Sequence, residues 1–488
     1  LTGDDRAALV LGVDSSTQST KVEVRRVDDG AVVAAGRVPH PPTSPPLSEQ
    51  DPRVWWDALV EACAALGNRR DEVVAMAVAG QQHGLVLVDR QGEPVRPAPL
   101  WNDTTAAATA TGLVDDLGAE TWAQGCGSVP VAAFTVAKLA HMGEREPEAL
   151  ARTAQVMLPH DYLTWRLTGA HVTDRGDASG TGWFDAAAGR YRPDLLGAAV
   201  DDPTAWLERL PDVLGPGAMA GELTPAARDA LGLPVGVAVA VGTGDNMAAA
   251  LGLGLDPGDV VMSLGTSGTI YSVSATPTAD PSGAVAGFAD ATGRFLPLVC
   301  TLNATKVTDA VAGWLGTEAA GLADLALAAG PGPIEAVLVP YFDGERTPNR
   351  PDAAGSVHGL RTGTSREELA RAAHDGVVCG LLDGLDALRH AGVAADGALL
   401  LVGGGARSPA YRQRCADLHG APVRVPVTDE VVATGAAVQA AALARGVSAA
   451  DVATGWGLGA SSTVEPDPAA DGDETRARFA AVVARHGM

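Results

Sequence analysis

Asp245 stands on a Gly-Thr-Gly bend, Gly242-Thr243-Gly244, at the head of a run of small residues. Further along the chain, Gly265-Thr266-Ser267-Gly268 forms a turn rich in backbone and hydroxyl donors. A lone carboxylate on a glycine bend, near such a turn, suits phosphoryl transfer. That chemistry needs donors for phosphate oxygens, a metal, and one base to orient the attacking hydroxyl. Asp245 fits the base. Asp14 ends the first apolar run and precedes a turn of hydroxyls, Ser15-Ser16-Thr17-Gln18-Ser19-Thr20, where a carboxylate can hold a metal-bound water. Gly80-Gln81-Gln82-His83-Gly84 and Trp101-Asn102-Asp103 offer polar groups near expected strand ends, where α/β sheets bind ligands. Gly403-Gly404-Gly405, shortly before a helix expected from Ser408 and Pro409, suits the close approach of a nucleotide. Taken singly, each feature also has an ordinary reading, because Asp ends strands and glycine runs occur for packing alone.

These residues need rigid elements to hold them. The pattern predicts buried strands over 8–13, 72–79, 235–241 and 398–402, with a small-residue helix over 246–253 opened by Asp245. It also predicts hairpins over 21–38 and 259–274. Asp51 and Pro52 start a helix whose apolar face includes Trp55, a core anchor. Residues 161–165 read as helical, 174–183 as a loop, and 367–389 as one long amphipathic helix. Each half of the chain contains a hairpin with a hydroxyl-rich turn, 14–20 in the first and 265–268 in the second. This echo suggests a duplicated domain clamping a nucleotide in a cleft. Neither turn leads straight into a helix, and no G-x-x-x-x-G-K-[ST] occurs, so a Walker-type site is excluded.

The 488 residues suffice for two or three domains. With 35 basic and 59 acidic residues the net charge is −24, which argues against broad nucleic-acid binding and for a soluble cytoplasmic protein. No apolar run approaches the length of a membrane span. Five cysteines, widely separated, read as free buried thiols.

Gly12-Val13-Asp14, the 80–84 and 101–103 segments, 242–246, 263–268, 344–348 and 403–408 occur in an order and spacing that resemble the FGGY carbohydrate kinases, from about residue 9 to about 440. The resemblance implies an α/β, two-domain actin/hexokinase-like (ribonuclease H-like) fold, with domains 1–254 and 255–488 and ATP and Mg²⁺ in the cleft between them. It is nearest to the members that transfer the γ-phosphoryl group to O5 of D-xylulose. It implies Asp245 as catalytic base, Asp14 on the metal and phosphates, and Gln82, His83, Trp101, Asn102, Asp103 and Asn246 around the sugar. Thr17, Gln18, Lys21, Gly265, Thr266 and Ser267 would lie near the phosphates, with Gly403, Gly404, Gly405 and Ser408 at the adenosine. A homodimer is expected by the same analogy, and the only small-molecule partners are a sugar and ATP. The chain departs from the family pattern at Ser16 and Ser19 (glycines), Gln82 (Met), His141 (Trp) and His160 (Lys). Gln82 touches the substrate question directly, so a kinase for ribulose, xylitol or ribitol stands as an alternative. An ATP-switched scaffold is a remoter one, since it would leave 80–84 and 101–103 without a purpose.

Overall fold

The first apolar run forms a strand, Leu9–Ser15, in which every residue is buried. It pairs antiparallel with Ser19–Arg26, which pairs antiparallel with Val32–Pro39, and it runs parallel to Val73–Gly80. Beyond Val73–Gly80 lie Ala238–Ala240 and then Met219–Glu222, and the two-residue strand Thr243–Gly244 extends the parallel pairing. In the computed structural model, which describes residues 8–428 and 430–485, this sheet belongs to the first of two units. That unit takes the chain through Leu255 together with Ala275–Leu296 and Glu430–Gly459. The second takes Asp256–Ser274, Pro297–Asp429 and Ala460–Met488. The first unit's opening segment ends at Leu255, one residue past the expected 254/255 boundary, and two later segments return to that unit.

One face of the first sheet is filled by Leu9, Val13, Val22, Met76 and Val78 packed with Trp55 and Tyr162. Trp55 is carried by the helix Pro52–Ala64, which Asp51 caps by accepting from the Arg53 N–H. A late helix, Val431–Arg445, packs closely on the strand Leu9–Ser15 and on the helix Asp245–Gly252. A Cβ on Gly12 would stand 2.1 Å from the Ala433 carbonyl oxygen, one on Gly252 2.0 Å from that of Val431, and one on Gly435 1.9 Å from that of Ala248. Side chains cannot occupy such gaps, so glycine here sets the depth at which the late helix lies.

In the second unit the strand order is Phe295–Thr301, Gly268–Ser272, Val260–Leu264, Leu399–Val402, Val423–Pro426, Ser461–Val464. Val260–Leu264 is antiparallel to Gly268–Ser272, which is antiparallel to Phe295–Thr301, and is parallel to Leu399–Val402. That is the connectivity of the first sheet's opening strands. The echo read from the two turns is therefore a repeated topology.

Some elements differ from expectation. The strand expected over 235–241 shortens to Ala238–Ala240, flanked by Gly236 and Gly242 at φ 80° and 81°, values that break a strand. The loop expected over 174–183 contains a short helix, Arg175–Ala178, because the Asp174 carboxylate accepts from the Gly176 and Asp177 N–H groups. The triple glycine leads first into a 3₁₀ turn, Gly404–Arg407, and the helix Pro409–His419 follows. All five cysteines are free and buried.

Candidate active site

Strand register assembles the first unit's polar groups. Asp14 lies opposite Ala79, Thr243 opposite Ala79, and Gly244 opposite Gly80. Asp14, the Gln81-Gln82-His83 segment and Asp245 therefore leave the same end of three parallel strands.

Asp14 is 3% exposed, and its Oδ1 has no hydrogen-bond partner. Its Oδ2 lies 3.4 Å from Lys21 Nζ, which is itself 2.7 Å from Glu430. Burial pushes the Asp14 carboxyl up to about 6, against the pull of Lys21. Asp245 is pushed to about 7 by burial and then by the negative charges of Asp14 and Asp177. Its Oδ1 accepts from the Asn246 N–H at 2.8 Å and from Asn246 Nδ2 at 3.0 Å. The same Nδ2 donates to Gln82 Oε1 at 2.9 Å, which leaves Gln82 Nε2 buried without a partner. Asp245, Asn246 and Gln82 thus form one bonded chain. A buried amide donor left over costs on the order of 1–3 kcal/mol unless a ligand takes it up.

His83 has φ 65°, rare for a residue with a side chain. The conformation is held from several sides. Nδ1 meets the Gly180 carbonyl at 2.8 Å, the ring stacks on Phe134 with centroids 5.0 Å apart, and Thr135 and Lys138 donate to its carbonyl oxygen. Strain retained under such constraint is characteristic of functional positions.

The Trp101 indole donates to Thr17 Oγ1 at 2.9 Å, and that hydroxyl donates to Gln81 Oε1 at 2.9 Å. Thr17 is thereby engaged with Trp101 and Gln81, while Gln18 beside it is exposed. Asn102 Oδ1 is buried without a partner. Asp103 is 1% exposed, and its two oxygens accept from Ser48 N–H and from Thr105, which ties it to the architecture of its own loop.

In the second unit, the Gly265 N–H donates to the Ser267 carbonyl, closing a tight turn with Thr266 exposed at its tip. The Thr266 and Gly265 carbonyls accept from the Ala304 and Thr305 N–H groups at 3.2 and 3.0 Å, so the turn's acceptors are satisfied from behind. Among the three glycines, Gly403 has φ 87° and a Cβ there would meet the Leu264 carbonyl at 2.8 Å, while one on Gly405 would meet Leu264 Cβ at 2.7 Å. Only Gly404 opens on free space, with nothing within 4 Å. Ser408 caps the following helix by accepting from the Tyr411 N–H.

Partners of these residues went unread in the sequence. Gln81 belongs to the 80–84 segment read as polar strand-end groups, but its bond to Thr17 has no local signal. Glu430, which holds Lys21 across 409 positions of chain, carries no local signal. The same is true of Asp174 and Asp177, whose role comes from a buried cluster with His160.

Comparison with known proteins identifies the family. Residues 9–252 match the FGGY family of carbohydrate kinases, N-terminal domain, and residues 260–444 match its C-terminal domain. The chain is 50% identical over 460 residues to the xylulose kinase of Streptomyces coelicolor, covering 94% of this chain and 92% of that one. The crystal structure of xylulose kinase from Bifidobacterium adolescentis is 39% identical, with a TM-score of 0.84 over 98% of this chain and 99% of that one. The gluconate kinase of Lactobacillus acidophilus, at 21% identity, shares the fold with a TM-score of 0.91 over 98% of each chain. The two-unit α/β architecture is accordingly the actin/hexokinase-like fold of these sugar kinases.

Proposed function

Because the chain belongs to the FGGY family of carbohydrate kinases, we propose that it transfers the γ-phosphoryl group of ATP to O5 of D-xylulose. The observation that carries the mechanism is the bonded chain Asp245–Asn246–Gln82 at the strand ends, with a carboxyl tuned to about 7 at its head. A base with that affinity takes a proton from a sugar hydroxyl as it attacks, a contribution of typically ~10²–10⁴ in rate. Asn246 holds the carboxylate in one orientation. Gln82 Nε2 and His83 bind the acceptor's hydroxyls, and the unpaired amide of Gln82 gives the sugar a donor that water would otherwise have to satisfy. Donor contacts are assigned to the hydroxyls of the turn Gly265-Thr266-Ser267, with Thr266 exposed at the tip, since the Gly265 N–H is spent on the Ser267 carbonyl. Gly404 leaves room for the nucleotide.

The orphaned, buried Oδ1 of Asp14 fits a hard divalent cation, and Mg²⁺, which keeps several waters and borrows phosphate oxygens, needs few protein carboxylates. Asp14 would hold it, and when bound it supplies charge neutralisation on the phosphates. Lys21, bridging Asp14 and Glu430, keeps Asp14 oriented.

An ATP-consumption screen over D-xylulose, D-ribulose, L-ribulose, D-fructose, xylitol, ribitol and glycerol tests the assignment. D-xylulose should give the highest kcat/KM. A clear preference for ribulose or a polyol would replace the substrate and keep the reaction, and ATP turnover indifferent to sugar would refute both.

A further inference from the structure

Behind the acceptor residues lies a buried cluster with no direct part in the transfer. His160, on the helix Pro159–Thr168, meets Asp177 Oδ2 through Nδ1 at 2.6 Å, and its Nε2 stands 3.3 Å from Asp161 Oδ1 and 3.8 Å from Asp174 Oδ1. All four residues are at most 4% exposed. Nδ1 is hydrogen-bonded to Asp177, whereas Nε2 faces Asp161 and Asp174 only as nearby charges and makes no hydrogen bond. Burial opposes the charge, but Asp161, Asp177 and Asp174 outweigh it and hold the imidazole protonated up to about 10.

The cluster reaches the candidate site by two separate arms. Asp174 Oδ2 accepts the Thr243 hydroxyl at 2.8 Å, on the bend that presents Asp245. The Asp177 carbonyl accepts from the Gly180 N–H at 3.0 Å, and the Gly180 carbonyl meets His83 Nδ1 at 2.8 Å. The histidine also packs against both strand ends. A Cβ on Gly80 would stand 2.8 Å from His160 Cβ, and one on Gly242 3.0 Å from His160 Cδ2.

We infer that His160 is a positioning residue for the acceptor: its cation fixes Asp174 and Asp177, and through them sets the Asp245 bend and the His83 ring in register with each other. This rests on the reading of Asp245 and His83 as acceptor-site residues. Removing a cation from among buried carboxylates leaves them repelling one another, so both arms should loosen together.

The test uses three variants of the full chain. His160→Gln removes the charge, His160→Lys keeps one, and Thr243→Val cuts the Asp174 arm with little change of shape. Melting temperatures accompany steady-state kinetics in both substrates. His160→Gln should lose about a hundredfold in kcat/KM for the sugar, the scale of a slightly misplaced reacting group, with KM for ATP within about twofold. His160→Lys should recover most of that loss. Thr243→Val should lower kcat about tenfold at an unchanged melting temperature. Wild-type constants in folded His160→Gln, equal losses for sugar and ATP, or no rescue by Lys would each overturn the role. Should His160→Gln fail to fold, Thr243→Val decides, and an unchanged kcat there overturns it. A wild type that phosphorylates none of the sugars defeats the underlying reading, whereas an active wild type with unmoved variants defeats only the role of His160.

Discussion

At the scale of single residues, Asp245 makes the sharpest demands. Asp245→Asn keeps size and removes the base, so kcat should fall by at least about 10² while sugar and ATP affinities stay within about tenfold. Near-normal turnover would refute the role. Since a base works only when deprotonated and burial raises this carboxyl to about 7, kcat/KM for the sugar should rise with pH, half-maximal near 7 and level above 8. A profile flat from 6 to 8 would contradict the environment described. Gln82→Met removes the unpaired Nε2 donor, and its loss should raise KM for the true substrate about ten- to a hundredfold, the equivalent of about 1–3 kcal/mol. Comparing D-xylulose, D-ribulose and xylitol with both proteins checks whether the acceptor preference flattens; an unchanged ranking with a lowered melting temperature would place Gln82 in the scaffold. The strand-end placement of Asp14, Asp245 and Gln82 was legible in the sequence because each stands on a glycine or hydroxyl turn ending an apolar run. The bond from the Ser48 N–H to Asp103 was not, since nothing local connects those segments, whereas the Thr105 contact two residues on is an ordinary local turn.

At the scale of elements, the triple glycine separates into distinct jobs. Gly404→Ala adds a methyl to open space, so the melting temperature should hold while KM for ATP rises several-fold. Gly403→Ala must adopt φ 87° against the Leu264 carbonyl and should cost at least about 1 kcal/mol of stability. If both variants lose only stability, the turn serves packing and the nucleotide binds elsewhere. Glycine runs are visible in any sequence, but which member faces a ligand depends on the strand packed beneath it. The same limit explains the short helix Arg175–Ala178: its cap, Asp174, was in plain view, yet the four helical residues include Gly176 and offer no periodicity. The hairpins, by contrast, were legible because period-two alternation and turn residues are local properties.

At the scale of the whole molecule, the repeated connectivity was legible from two turns, whereas the return of Glu430–Gly459 to the first unit was not. An alanine-rich helix such as Val431–Arg445 looks alike wherever it packs, and only the glycines at 12, 252 and 435, read together in three dimensions, reveal its place. A chain of residues 1–296 should therefore lack a cooperative thermal transition by calorimetry, and appending residues 430–459 through a flexible linker should restore one. Equal, sharp melting of both would show that the late helix is dispensable to the first unit.

That return has a consequence in time. During synthesis the strand Leu9–Ser15 leaves the ribosome early, but its covering helix ends at Arg445. At roughly 5–20 residues per second, the stretch from Leu296 to Glu430 alone takes about 7–27 s. For that interval the nascent chain presents a strand face shaped by Gly12 for close packing, with its own cover still unmade. The pace of translation across residues 297–429 thus sets how long this face waits for its cover before the first unit can close.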